Sequence, residues 1–171
     1  HLTEVRNLQL QTRGFTEFVP LPYVPMEAPM YLKGKSRRGP SFREAILMHS
    51  VSRIAFKGLI NNIQTSWVKM GQEGVQACLN AGANDIGGTL MNESITRAAG
   101  ADHGPEWHPQ GIEETIISMG RKPKMRTTSY DEAPQSRREL AFRASTLTQI
   151  ENTAAAKLQR SKKLDNIAQV L

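Results

Sequence analysis

The sequence predicts an α/β fold built on a small parallel sheet, and three observations carry that prediction. Three short apolar runs, residues 15–19, 63–69 and 85–90, each lead into a dense cluster of polar side chains. Helix-like stretches separate the runs, and strands that alternate with helices imply parallel pairing through crossovers. In such sheets the chemistry gathers at the carboxyl ends of the strands, so polar residues placed there read as the floor of a site.

Each element follows from local chemistry. Residues 1–12 read as the end of a helix, with Leu2, Val5, Leu8 and Leu10 partly periodic and Gly14 as the stop. The first strand spans residues 14–20. Residues 25–40 form a long loop with a basic run, Lys33, Lys35, Arg37 and Arg38, that reads as a solvated face. Ser41 with Glu44 makes a capping box, in which each side chain satisfies an orphan backbone donor. The helix it opens, residues 41–56, presents Leu47, Val51, Ile54 and Ala55 on one face for packing against the sheet. His49 on the same helix is expected to be structural.

The second strand is expected over residues 62–69, and a helix over 71–81 with Val75, Cys78 and Leu79 inward and Gly82 closing it. The third strand covers residues 84–90. Pro109 starts a further helix carrying Ile112, Ile116 and Met119, ended by Gly120. Residues 121–134 read as irregular and basic. From Gln135 the chain is polar and Ala-rich with a thin apolar stripe (Leu140, Leu147, Ile150, Leu158), an exposed helical or disordered tail.

Composition sets limits. The 171 residues are enough for one domain with a core, and 39% of them are hydrophobic. The formal charge of +6 suits an anionic ligand or surface. A single cysteine, Cys78, excludes an internal disulfide and an all-cysteine metal site. That points to the cytoplasm or another reducing compartment. No run is apolar enough to span a membrane, and no signal peptide is evident. Three strands are too few to close a (β/α) barrel, which needs eight, and an open sheet of three exposes two edges. Either the chain is the C-terminal part of a larger barrel or it pairs with another copy. A helix at the start with no strand before it, and His1 in place of an initiator Met, favour the first.

The words Gly14-Phe15-Thr16-Glu17-Phe18-Val19-Pro20-Leu21-Pro22, Asn62-Ile63-Gln64-Thr65-Ser66-Trp67-Val68-Lys69 and Asn84-Asp85-Ile86-Gly87-Gly88-Thr89-Leu90-Met91-Asn92-Glu93-Ser94 closely resemble the C-terminal half of the tyrosine-using subunit of FO synthase. Menaquinone-pathway radical enzymes share a looser version. The resemblance covers residues 1–130 and leaves 131–171 as a tail. It implies the C-terminal portion of a (β/α) radical S-adenosylmethionine barrel of the TIM type. The family splits S-adenosylmethionine at a 4Fe-4S cluster and joins a hydroxybenzyl fragment of tyrosine to a ribityl-diaminouracil, on the way to the deazaflavin chromophore FO. It holds the cluster with a cysteine triplet, and this chain has no such triplet, so the cluster ligands are expected elsewhere and the fragment alone is expected to be inactive. Implied partners are the two small substrates, the rest of the barrel and a second radical domain or subunit.

The residues themselves supply the candidates for substrate contact. Glu17 is a carboxylate within a strand. Gln64, Thr65 and Ser66 are consecutive, so Gln64 and Ser66 point one way with Thr65 opposed. Gln64 both donates and accepts, which suits a uracil edge or an amino-acid carboxylate. Lys69, at the strand's end, is placed to pair a carboxylate. Trp67 reads as packing. Gly87 and Gly88 let a ligand or another backbone approach closely. Asn92 and Glu93 follow and are placed to bind ribityl hydroxyls. His103 and His108 lack metal-ligand spacing, so no metal site is expected. Two other classes stay open: a small dimeric barrel-like enzyme binding a phosphorylated ligand at Gly87-Gly88, and a basic module binding nucleic acid through Arg121, Lys122, Lys124 and Arg126. The second lacks aromatic interleaving and comes last.

Overall fold

Three parallel strands lie in the order β1 (Glu17–Phe18), β2 (Asn62–Thr65), β3 (Asp85–Ile86). Glu17 pairs with Asn62 and Phe18 with Ile63, while Gln64 pairs with Asp85 and Thr65 with Ile86. The parallel pairing agrees with the sequence reading. A computed structural model describes residues 1–90, 93–101 and 103–147.

The strand period splits the side chains by face. Paired residues in a parallel sheet point to the same side and successive ones alternate. Phe18, Ile63, Thr65 and Ile86 share one face; Glu17, Asn62, Gln64 and Asp85 share the other. Ile63 and Thr65 are fully buried. Helices α1 (Leu2–Thr12), α3 (Phe42–Ala55) and α4 (Trp67–Asn80) cover their side, and the short α2 (Pro29–Leu32) comes between β1 and α3 in the chain. Phe56, Ile60 and Ile63 form one apolar cluster there, packed by Leu2, Val5 and Phe18, and Val75, Cys78 and Leu79 anchor a second.

Polar groups make the joints. Gln9 is buried under β1's entry, its Nε2 donating to Phe15 O at 3.0 Å and Leu59 O at 2.9 Å and its Oε1 accepting from Phe15 N. Arg53 on α3 donates to Gly82 O at 2.6 Å, to Asn61 O at 2.7 Å and to the Asn84 side chain. The Ser41–Glu44 capping box is present, with Glu44 Oε2 accepting from Ser41 N at 2.7 Å.

Several expectations are corrected. The second strand stops at Thr65 rather than running to residue 69, because Ser66 takes the cap position of α4 and Trp67 turns its indole to donate to Gly88 O at 2.8 Å. The first and third strands keep only two residues each. Helix α1 closes on Arg13, which adopts the left-handed conformation (φ 52°), and not on Gly14. The largest correction concerns α3. Leu47, Val51 and Ile54 face outward, 47%, 48% and 76% exposed, while Ala45, His49 and Ser52 face the sheet. His49 Nδ1 lies 2.8 Å from Ala45 O and Ser52 Oγ donates to Met48 O at 2.6 Å. Polar side chains that bond their own helix carry a smaller desolvation cost inside. His49 is structural, as expected, and its burial holds the imidazole below its ordinary pKa.

Past β3 come α5 (Ile95–Ala98), α6 (Pro109–Ser118) and α7 (Gln135–Arg143). Helix α7 docks on α6 through Arg138, whose Nη2 donates to both Glu113 oxygens at 2.7 Å. Leu140 on it is 71% exposed, while Ile150 and Leu158 of the expected stripe lie outside the described residues. Lys33, Lys35, Arg37 and Arg38 are exposed, as expected. No helix among the described residues is long and apolar enough to cross a membrane.

Candidate functional site

Opposite the helices, the polar sheet face carries Glu17, Gln64 and Asp85, one from each strand. Gln64 Nε2 donates to Glu17 Oε2 at 3.1 Å and to Asp85 Oδ2 at 2.7 Å. The 121–134 segment lies across this layer and lowers two side chains onto it. Arg126 forks onto Asp85, Nε to Oδ1 at 2.8 Å and Nη2 to Oδ2 at 2.5 Å. The Tyr130 hydroxyl meets Asp85 Oδ2 at 2.9 Å and Glu17 Oε2 more closely still. The Arg126 guanidinium sits 4.0 Å above the Tyr130 ring.

The electrostatics follow from this packing. Burial raises the Tyr130 phenol far above its ordinary range, and its hydrogen bonds to Glu17 and Asp85 raise it further, so the phenol stays protonated. The hydrogen bond from Arg126 to Asp85 holds the guanidinium charged. The layer therefore presents two carboxylates, one cation, one fixed phenol and one amide on a face that no described helix covers.

The predicted candidates fall in different places. Glu17 and Gln64 meet in the layer, with Thr65 opposed to Gln64 as expected. Ser66 is nearly buried at the α4 cap, its carbonyl accepting from Met70 N at 3.0 Å. Lys69 lies inside α4 rather than at a strand's end, a correction that follows from the early helix start. Gly87 and Gly88 follow β3 with no other backbone pressed against Gly88; a Cβ there would meet nothing within 4 Å. Glu93 turns inward on its own chain and accepts from Thr96 N at 2.9 and 3.2 Å, capping α5. Asn92 lies outside the described residues. Sequence reasoning missed Asp85, Arg126 and Tyr130 as members of the layer. The alternation of Asp85 with Ile86 held a signal for the first; nothing local marks the other two.

A second feature lies at the carboxyl ends of β1 and β2. An open cleft of about 690 Å³ is lined by Tyr23, Phe42, Lys69, Gln72, Glu73 and His103 among others. Its wall is shaped by a kink in α4 at Gly71, which holds φ 66° and ψ 177°. A Cβ on Gly71 would stand 2.8 Å from His103 Cε1. Gly71→Ala is therefore expected to destabilise the protein by about 1–3 kcal/mol, from backbone strain and the clash. Urea unfolding checks it, and a loss under about 0.5 kcal/mol would show that α4 can straighten.

Metal and cluster ligands are not assembled among the described residues. No group of three His, Cys, Asp or Glu among the described residues could hold a metal ion. His108 caps α6, accepting from Gln110 N at 3.4 Å through Nδ1. Cys78 is fully buried, lies 3.5 Å from His49 Nδ1, and burial raises its thiol pKa. Such a thiol does not fit an iron–sulfur ligand, which must be a thiolate within reach of the metal.

A parallel sheet with helices on one face and an ordered polar layer on the other defines an α/β module of the type that carries chemistry on a sheet. A family model described as the CofH/MqnC C-terminal region matches residues 12–140, and the chain belongs to that family. Over 130 residues it is 50% identical to the 5-amino-6-(D-ribitylamino)uracil–L-tyrosine 4-hydroxyphenyl transferase of Methanocaldococcus jannaschii, covering 76% of this chain and 36% of that protein. The transferase of the same name from Methanopyrus kandleri is 49% identical over 131 residues, 77% of this chain and 36% of the relative. FO synthase of Mycobacterium leprae is 48% identical over 130 residues, 76% of this chain and 15% of that protein. The chain thus spans about a third of the length of these transferases and less of FO synthase.

Proposed function

We propose that this chain forms the substrate-facing part of a transferase that joins a tyrosine-derived fragment to a ribityl-diaminouracil in the biosynthesis of the deazaflavin FO. The observation that carries the reading is the 50% identity to a transferase of that name over 130 residues. On the same resemblance the whole protein is a radical S-adenosylmethionine enzyme with a (β/α) barrel. Residues 1–130 belong to that barrel and 131–171 form its tail, with α7 tied back by Arg138. S-adenosylmethionine and a 4Fe-4S cluster serve the whole enzyme, and the cluster ligands lie outside this chain, since Cys78 does not fit a cluster ligand. The chain alone is inactive in this reading.

The chain's own contribution is to bind and orient. Glu17, Gln64 and Ser66, with Lys69, Gly87, Gly88, Asn92 and Glu93, are proposed to contact substrate. Neutral polar groups position a substrate without competing for a reactive intermediate, and a closely fitted site limits side reactions. Losing one buried substrate hydrogen bond costs about 1–3 kcal/mol. In the whole enzyme, Gln64→Ala is accordingly expected to lower adduct formation by about 5- to 150-fold. Iron content and uncoupled cleavage of S-adenosylmethionine should survive. A variant that loses iron and keeps normal coupling per cluster would show that Gln64 is structural.

A further inference from the structure

We infer that Arg126 and Tyr130 are positioning residues that lock the Gln64 side chain as a hydrogen-bond acceptor, so that Gln64 receives a substrate N–H or O–H donor and not a carboxylate. The substrate's identity here rests on the transferase reading, in which the amino groups of the diaminouracil are such donors.

The inference comes from counting hydrogens. Gln64 Nε2 carries two, and both are spent, on Glu17 Oε2 at 3.1 Å and on Asp85 Oδ2 at 2.7 Å. Turning the amide over would set Oε1 against two carboxylate oxygens with no proton between them, so its orientation is chemically forced. Those two oxygens are held in turn. The Arg126 fork anchors both oxygens of Asp85, and the Tyr130 hydroxyl reaches Asp85 Oδ2 and Glu17 Oε2 together. Charge-assisted forks of this kind set geometry as well as energy.

Among the described residues nothing closes the opposite end of the amide. No described residue donates to Gln64 Oε1. It stands 3.6 Å from where a Cβ on Gly87 would be, and glycine leaves that approach uncovered. An acceptor with no donor beside it among the described residues, on a half-buried side chain, invites a donor from a ligand and repels a carboxylate.

Two measurements on the whole enzyme carrying this chain test the inference. With glutamine labelled by 15N, the Gln64 side-chain amide protons should exchange slowly with solvent. Tyr130→Phe, which keeps the ring under Arg126, should speed that exchange at least about tenfold while core backbone amides are unchanged. The second measurement is kinetic. Gln64→Met keeps length and removes the acceptor, and should raise KM for the diaminouracil about tenfold while KM for tyrosine is unchanged. Tyr130→Phe should raise the same KM about threefold, and the double variant should match Gln64→Met within about twofold, because Tyr130 acts through the amide. Gly87→Ala, whose methyl would stand in ordinary contact with Oε1, should raise that KM with exchange unaltered.

Unchanged exchange in Tyr130→Phe overturns the positioning role. Losses that multiply in the double variant also overturn the positioning role, and an unchanged KM in Gln64→Met or in Gly87→Ala overturns the acceptor role. A wild-type enzyme that makes no adduct from these substrates overturns the proposed function and its substrate assignment, while the exchange result still decides whether Tyr130 holds the amide.

Discussion

Asp85→Ala is expected to lower the unfolding free energy by about 3–5 kcal/mol, the range for breaking one side of a substantially buried ion pair. The Asp85 side chain is 11% exposed and that of Arg126 25% exposed. Alanine would strand the guanidinium with only a 3.5 Å contact to Glu17 Oε2 as a charge partner, and Glu17 is itself 38% exposed. The same change removes an acceptor from Gln64 and one from Tyr130. The loss is therefore that of a network and exceeds what an isolated surface pair contributes. Asp85→Asn keeps the volume and one carbonyl oxygen, so it should cost clearly less. Urea unfolding of the protein carrying this chain measures both. A cost under about 1 kcal/mol for the alanine variant would show that water reaches the layer and replaces the carboxylate.

Phe56→Ala is expected to cost about 3–5 kcal/mol through lost burial and a residual cavity. Phe56 is fully buried beneath β2, and its ring lies 4.9 Å from that of Phe18. Ile60, Ile63, Leu2 and Val5 complete the cluster, so one side chain joins α1, β1, β2 and the end of α3. Phe56→Leu keeps most of the volume and should cost less than about 1.5 kcal/mol. The two alanine variants separate the faces of the sheet. Slow exchange at the Gln64 amide should persist in Phe56→Ala while the protein is folded and vanish in Asp85→Ala. Loss of it in both would mean that the polar layer has no independent order.

The parts of the fold legible in the sequence were those fixed by short-range chemistry. The Ser41–Glu44 capping box rests on two residues three apart, and it is present with both bonds. Strand period placed Gln64 and Thr65 on opposite faces, and the parallel pairing of the three strands followed from strands alternating with helices. The inward set of α4, Val75, Cys78 and Leu79, followed from helical spacing. The words around these residues also carried the resemblance to the family that residues 12–140 match.

Other features depended on what each segment met in three dimensions. Leu47, Val51 and Ile54 of the α3 stripe point outward while Ala55 packs on the core, because His49 Nδ1 and Ser52 Oγ bond to their own helix and so can be buried, an outcome that hydropathy alone ranks the wrong way. The second strand ends at Thr65 because the Trp67 indole finds Gly88 O, 21 residues away. The polar layer is the extreme case. Arg126 reaches Asp85 across 41 positions and Tyr130 reaches Glu17 across 113, in a stretch that reads locally as an irregular basic loop. Side-chain period and capping act within a few residues, so the chain alone could place Glu17 and Gln64 on strands. Which donors come to rest on them is set by where a distant loop lands, and that depends on packing summed over the whole molecule.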